Sequence, residues 1–215
     1  MVNMCMKINE VISQTTIIEG RDAPLYHFCD SGKLYNAIDN NTLKGTWNHN
    51  LKQWLGPRYE KVRGTSLTRN KKLSWDYTRI RLTLNQSIIF RTNKIITVNG
   101  QYAYYGASNM HPSKVKNDDF ISRSRWDSEH DLDEEFVVGD IKNLNKALLE
   151  IKVIIDVSND PVFEYKMIKS FESNKLFDYV ETHKIPLIDF KGNSIRRERV
   201  IEVEQDPTVI DWLEN

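Results

Sequence analysis

The chain has 215 residues, 30 Lys and Arg against 30 Asp and Glu, and 40% apolar residues, which is enough for one sizeable hydrophobic core. No apolar run approaches the roughly 20 residues that a membrane-spanning helix needs, and the first residues lack the apolar core of a signal peptide. The two cysteines, Cys5 and Cys29, have no metal-binding spacing, so a disulfide framework is not expected and a cytoplasmic location is predicted.

The net charge of zero conceals an uneven distribution. Residues 1–125 carry 19 basic against 9 acidic side chains, whereas residues 126–215 carry 11 against 21. A basic half of this kind can attract a polyanion or a phosphate-bearing ligand. It can equally be neutralised by packing against the acidic half, and the sequence leaves both interpretations open.

The first half of the chain reads as strands with one clear helix. Residues 1–23 are weakly patterned and are expected to form an N-terminal extension. Residues 24–29 are apolar and aromatic, which predicts a strand, and Asp30 or Ser31 can cap a helix after it. Further strands are predicted over residues 64–70, 79–84 and 88–98.

The second half begins with a long polar loop over about residues 99–130, of a length that is usually functional or disordered. After it the pattern predicts a strand, a helix, a strand, a longer helix and a late strand, over residues 136–139, 143–150, 151–156, 164–182 and 185–190. We therefore expect a single α+β domain over residues 24–215.

Three short segments carry residue types suited to cleaving a nicotinamide–ribose bond. The transition state of that reaction resembles an oxocarbenium ion, as in glycoside hydrolysis, so a nearby carboxylate stabilises it. Glu135 stands at the start of a predicted strand and is a candidate for this carboxylate. His27 at the end of one strand, with Ser66 and Thr68 on another, can hold the rest of the dinucleotide.

In these segments the chain resembles the ADP-ribosyltransferase superfamily. That family has an Arg or His ending the first core strand, a second strand rich in Ser and Thr, and a Glu entering a later apolar strand. The matching segments are Leu25–Phe28, Thr65–Arg69 and Asp133–Val138. The segments 6–12 and 139–144 also look similar to uncharacterised bacteriophage proteins of this type. The resemblance covers roughly residues 24–156 and rests on the order and spacing of the motifs.

The resemblance implies an α+β fold with an ADP-ribosyltransferase-like split β-sheet core, flanking helices, and NAD as the substrate. It implies that His27 bonds a ribose hydroxyl or the adenosine side of NAD, and that Ser66 braces the catalytic acid. Thr68 would line the pocket, and the guanidinium fork of Arg69 could meet the pyrophosphate. Glu135 would hold the nicotinamide ribose and support the cation.

The acid run departs from the family's pattern in one respect. Family members often place a Gln or Glu two residues before the catalytic acid, where it activates the acceptor. Here that position is Asp133, a shorter side chain, and Glu134 lies beside it. A shift of one residue turns a strand side chain to the other face, so Glu134 is the main rival to Glu135.

The leading hypothesis is therefore a cytoplasmic transferase, acting in the host cytoplasm if it is phage-encoded, that uses NAD to modify a protein or nucleic acid. An NAD hydrolase is its close relative. A nucleic-acid-binding module is one alternative, with tyrosines interleaved among the basic residues of the first half: Tyr77, Tyr102, Tyr104 and Tyr105. A catalytically inactive structural or interaction protein of the same fold is the other. The five histidines show no metal-binding spacing, and no metal is expected.

Overall fold

The computed structural model describes residues 24–47, 63–68, 71, 79–93, 95–99 and 133–215, and of residues 47, 95–99 and 133–135 it describes the backbone only. The expected N-terminal extension, and the polar loop apart from its first residue, lie outside the described residues. Among the described residues the fold is α+β, with strands that pair mostly antiparallel.

The described strands are β1 (Leu25–Cys29), β2 (Thr42–Leu43), β3 (Thr46–Trp47), β4 (Arg63–Thr68), β5 (Ile80–Leu84), β6 (Ile95–Asn99), β7 (Asp133–Val138), β8 (Ile141–Lys142), β9 (Leu148–Val153) and β10 (Leu187–Ile188). The described helices are α1 (Ser31–Asp39), α2 (Gln86–Thr92), α3 (Leu144–Ala147), α4 (Pro161–Ser173), α5 (Leu176–His183), α6 (Arg199–Glu204) and α7 (Pro207–Glu214).

The chain groups into two compact units, each made of three stretches of the sequence, and the residues of β1 and β5 are divided between them. Compact units of this kind occur inside single domains, so the expected single domain stays a prediction. Of the described residues, the first unit holds 24–26, 45–47, 63–68, 71, 84–93, 95–99 and 133–140. The second unit holds 27–44, 79–83 and 141–215.

In the first unit, β4 is the central strand. It pairs antiparallel with β1 through Tyr26 and Thr68, with β3, and along its whole length with β7. The far side of β7 pairs antiparallel with β6. Leu67, Phe136 and Val137 are almost fully buried, so the apolar residues that predicted these strands form this unit's core.

In the second unit, β9 lies between β10, which runs parallel to it, and β5, which in turn neighbours β1. A separate antiparallel pair joins β2 and β8. Helices supply most of the remaining core, and α6 and α7 both pack against α4. The rings of Phe171 and Phe177, from α4 and α5, meet edge to face with their centroids 6.3 Å apart, and both are buried.

Helix α1 forms as its sequence predicts. The Asp30 side chain accepts a hydrogen bond from the Lys33 backbone N–H at 2.8 Å, which satisfies one of the unpaired donors at the helix start. The apolar residues at helical spacing, Leu34, Ala37 and Ile38, are its buried face.

Three sequence predictions are wrong in the kind or the number of elements that form. Residues 88–98 do not continue as β structure: the Asn85 side chain caps α2 by accepting from the Ile88 N–H at 3.2 Å, and β6 begins only at Ile95. The helix expected over residues 143–150 ends after one turn at Ala147, where β9 takes over. The long helix expected over 164–182 is two helices, because Lys175 adopts a left-handed φ of 57° between them.

Helices α6 and α7 were not predicted. None of the helices in the described part of the chain is long and apolar enough to cross a membrane.

Candidate functional site

Two of the three predicted motifs lie side by side in the first unit. The register of β4 and β7 pairs Ser66 with Phe136, Leu67 with Glu135, and Thr68 with Glu134. On the other side of β4, Tyr26 of β1 pairs with the same Thr68. The Ser/Thr-rich strand and the acid-bearing strand are therefore direct neighbours, although β5, α2 and β6 separate them in the chain.

The register assigns the two glutamates to opposite faces of the strand pair. Successive residues of a strand alternate between faces, and residues paired across an antiparallel ladder share one. The backbone position of Glu134 therefore shares a face with Ser66 and Thr68. The position of Glu135 shares the opposite face with Leu67 and Thr65.

Each face offers hydroxyl groups. On the Glu134 side Ser66 is partly exposed and Thr68 is buried. On the Glu135 side Thr65 is 3% exposed, and its hydroxyl oxygen has no hydrogen-bond partner among the described residues. A buried hydroxyl without a partner costs free energy, so Thr65 is available to donate to a group on its own face. The register thus favours Glu134 as the acid beside Ser66 and Thr68, whereas the Thr65 hydroxyl favours Glu135.

The register of this ladder is fixed by a glycine. A Cβ at Gly64 would collide with the Val137 carbonyl oxygen and with the Phe136 ring, so only glycine admits that ring. Phe136 is 1% exposed and is the cross-strand partner of Ser66. A one-residue slip would place a side chain where the ring packs, which holds Ser66 and Glu134 in their observed relation.

The end of the ladder far from the acid run is tied by hydrogen bonds. The Arg63 guanidinium donates to the Gly45 carbonyl at 2.8 Å, and the Gly45 N–H donates to Asp140 Oδ1 at 2.8 Å. The Gly139 N–H donates to the Arg63 carbonyl at 2.8 Å, and the Asn93 amide donates to the Asp140 carbonyl at 3.0 Å. Of these bonds, the one from Gly139 to Arg63 joins the end of β7 directly to β4 and opposes a slip of the ladder.

The remaining predicted residues are placed less completely. His27 is the next residue after Tyr26 in β1, is partly exposed, and belongs to the second unit. Arg69 lies outside the described residues. The backbone of Asp133 pairs with Asn99 of β6, at the start of β7. The tyrosines that suggested nucleic-acid binding, at positions 77, 102, 104 and 105, also lie outside the described residues.

Cys29, the cysteine in the described part of the chain, is not suited to act as a nucleophile. Cys29 is 1% exposed, and burial, with a smaller contribution from the neighbouring Asp30, raises the pKa of its thiol from 9.0 to about 12. Since only the thiolate is an effective nucleophile, Cys29 is inert at neutral pH. No group of three or more His, Cys, Asp or Glu side chains among the described residues is arranged to hold a metal ion.

Sequence reasoning missed a polar group in the second unit. Arg81 on β5 donates to Glu150 on β9 at 3.0 Å, and the Thr83 hydroxyl donates to the same carboxylate oxygen at 3.2 Å. The alternating pattern of residues 79–84 indicated a polar face, but nothing local identified its partner, since Glu150 was assigned to a helix. The same unit contains a cleft that no motif indicated.

Comparisons with protein-family models, with curated proteins and with solved structures found no match for this chain.

Proposed function

We propose that the protein is an NAD-dependent ADP-ribosyltransferase that modifies a macromolecular acceptor. The observation that carries the proposal is the pairing of β4 with β7, since it makes neighbours of the hydroxyl-bearing and acid-bearing segments on which the resemblance rests. The pairing of Tyr26 with Thr68 supports it further, because β1 carries the first motif. Adjacency of this kind does not follow from the order of the segments in the chain.

In the proposed reaction the bond between the nicotinamide nitrogen and the ribose carbon breaks, and nicotinamide leaves with the electron pair. A nucleophile of the acceptor forms the new bond to that carbon and loses its proton. A carboxylate of β7 stabilises the positive charge that develops on the ribose. If water takes the acceptor's place, the same site is an NAD hydrolase.

The proposal leaves open which carboxylate of β7 stabilises the positive charge on the ribose. The register supports Glu134, whose position shares a face with Ser66 and Thr68. The resemblance favours Glu135, and the buried Thr65 hydroxyl on the Glu135 face supports that assignment. Asp133 stays the candidate for activating the acceptor. The roles of His27 and Arg69 in binding NAD, and the cytoplasmic location, stay predictions.

The test is nicotinamide release from NAD by the purified full chain, with transfer of a labelled ADP-ribose to lysate proteins and nucleic acids measured in parallel. Glu134→Gln and Glu135→Gln are compared with the unsubstituted protein. Removing a preorganised electrostatic contact to a transition state typically costs about a hundredfold or more in rate, so we expect one variant to lose that much. The variant at the other position should lose much less.

The matched control is Glu198→Gln, at an exposed glutamate beside α6 that makes no side-chain cap hydrogen bond. It makes the same chemical change and should leave the release rate unchanged. Full activity in both β7 variants, with the protein folded, would contradict the proposed role of the acid run. No release by the unsubstituted protein would leave the inactive-fold or nucleic-acid-binding alternatives.

A further inference from the structure

A cleft of about 440 Å³ opens in the second unit, where the segment after β9, helix α4, the turn after β10 and helix α6 meet. Its size is within the range of pockets that take a small molecule or a large side chain. Its charged lining residues are four acids and two bases, a balance of −2: Asp156, Glu164, Asp189, Glu202, Lys191 and Arg199.

The two bases offset only part of the acidic charge of the cleft. Arg199 donates to Glu164 at 2.9 Å and to Glu202 at 2.9 Å, so both sides of its guanidinium are engaged. The Lys191 ammonium donates to the Ser158 hydroxyl at 3.3 Å. Arg199 therefore offsets one of its two glutamates. Lys191, whose charge adds to the Ser158 hydrogen bonds in lowering the pKa of Asp156, offsets one of the two aspartates. The balance of −2 is shared between the Glu164 and Glu202 pair and the Asp156 and Asp189 pair.

Both aspartates are held ionised and fixed in place by their own turns. The hydroxyl and backbone N–H of Ser158 donate to Asp156 at 2.6 and 3.0 Å, and these bonds lower the pKa of its carboxyl. Partial burial opposes the same effect at Asp189, but bonds from the Asn193 side chain and from backbone N–H groups outweigh it and lower its pKa. Carboxylates fixed in this way need no rearrangement to meet a cation.

Apolar side chains form part of the walls of the cleft. Ile155 and Val157 line it from the segment after β9, Met167 from α4, and Phe190 from the turn after β10. Phe190 is 49% exposed, which leaves much of its ring open to a ligand. A lysine or arginine side chain combines an aliphatic stem with a cationic head, and these are the two features that the lining complements.

We propose that this cleft docks a partner protein by taking a lysine or arginine side chain from an apolar segment of that partner. The head of the side chain lies between Asp156 and Asp189, and its stem lies against Phe190 and Met167. Apolar residues flanking the cation on the partner would cover the exposed part of Phe190. The inference is independent of the proposed function, because the described residues of the cleft include none of the predicted NAD contacts or catalytic acids.

The test measures fluorescence anisotropy of a short labelled peptide of repeated lysine, leucine and glycine as the full chain is added. Two control peptides carry glutamate in place of lysine, and serine in place of leucine. We expect saturable binding of the first peptide, no binding of the glutamate peptide, and binding at least about tenfold weaker for the serine peptide, since apolar burial contributes most of the affinity.

The variants locate the binding. Asp156→Asn combined with Asp189→Asn keeps an oxygen acceptor for the backbone N–H of each turn but removes the charge and the Asn193 side-chain bond to Asp189, and should weaken binding about tenfold. Ser194→Trp fills the cleft and should abolish binding. Asp39→Asn and Thr182→Trp make comparable single changes at exposed positions outside the cleft and should bind as the unsubstituted protein does. Thermal unfolding of each variant checks that it is folded.

Several results would overturn the proposal. Binding that survives both cleft variants would show that the peptide docks elsewhere on the chain. Equal binding of the serine peptide would show a diffuse attraction for cations, and no saturable binding of the lysine and leucine peptide would remove the site altogether.

Discussion

The strand pair β4–β7 of the first unit and the helices α4–α7 of the second are held together by different means. The strand pair depends on backbone hydrogen bonds and on Gly64, where a side chain would collide with a ring. The helices depend on interlocked apolar side chains, with the ion pairs of Arg197, Arg199 and Lys169 around the edge.

The difference indicates where the chain tolerates change. A helix interface can lose an exposed ion pair at little cost, because solvent screens it. A strand register cannot shift by one residue without turning every side chain to the opposite face. The predicted catalytic acids lie on β7, whose geometry is the more strictly specified. The aspartates of the cleft lie in turns beside helices that are held by side-chain packing.

The largest expected effect comes from disrupting the packing of the helices. Phe171→Ala removes a fully buried ring that meets Phe177 edge to face. We expect a loss of about 4 kcal/mol in the free energy of unfolding, from lost burial and the cavity left behind. Urea unfolding measures it, with Ile201→Ala, at a residue 59% exposed, as a control that should change by less than about 0.5 kcal/mol. Equal effects would contradict the assignment of Phe171 to the core.

Gly64→Val disrupts the pairing of β4 with β7. The added side chain collides with the Phe136 ring and the Val137 carbonyl, so we expect a loss of about 3 kcal/mol. Gly139→Ala is the control, since Gly139 has a φ of 82° but open space around it, and strain alone should cost about 1 kcal/mol. If the two variants were equally stable, Gly64 would not be fixing the register by packing.

A smaller effect comes from the buried Cys29 thiol. Its pKa of about 12 in the folded protein exceeds its usual 9.0, so the unfolded chain loses the proton first as pH rises. The stability that this provides is complete below about pH 9, and it falls by up to about 1.4 kcal/mol per pH unit from there toward the folded pKa. Cys29→Ala should lower overall stability but flatten this alkaline loss, which urea unfolding at about pH 8 and about pH 10 measures. Identical pH slopes would contradict it.

The smallest effect is expected at Arg197, which pairs with Asp178 and Glu181 on α5. Its hydrogen bonds with those carboxylates raise the pKa of the guanidinium, but the group is solvent-exposed. Arg197→Gln should leave the thermal midpoint unchanged at both low and high salt. A fall comparable to that of Gly64→Val would mean that ion pairs, and not packing, hold these helices.

Sequence patterns predicted the elements whose signals are local. The cap at Asp30, the apolar spacing of Leu34 and Ile38, and the alternation of Ile80 to Leu84 each contain their own information, and those elements formed. The predictions of secondary structure fail where a helix-capping residue precedes an apolar run that resembles a strand. Asn85 starts a helix within residues that read as β structure, and Lys175 adopts a backbone conformation that no composition rule indicates.

The sequence nominates the residues of the candidate site but not their arrangement. The residues Ser66, Thr68 and Glu135 were identified from their types and order, whereas the face that each glutamate occupies depends on which residue opposes which across the ladder. That register is set by Gly64 and Phe136, which lie far apart in the chain. The cleft cannot be predicted from sequence patterns for a similar reason, because Asp156 and Asp189 come together only through the pairing of β9 with β10.

The central claim is that the acids of β7 serve NAD chemistry, and it is tested most directly by nicotinamide release with both glutamates changed at once. The unsubstituted chain should release nicotinamide from NAD, and the double variant Glu134→Gln with Glu135→Gln should fall to background while its thermal midpoint stays close to that of the parent. Release by the folded double variant at the parental rate would contradict the account, as would the absence of release and of NAD binding in the unsubstituted protein.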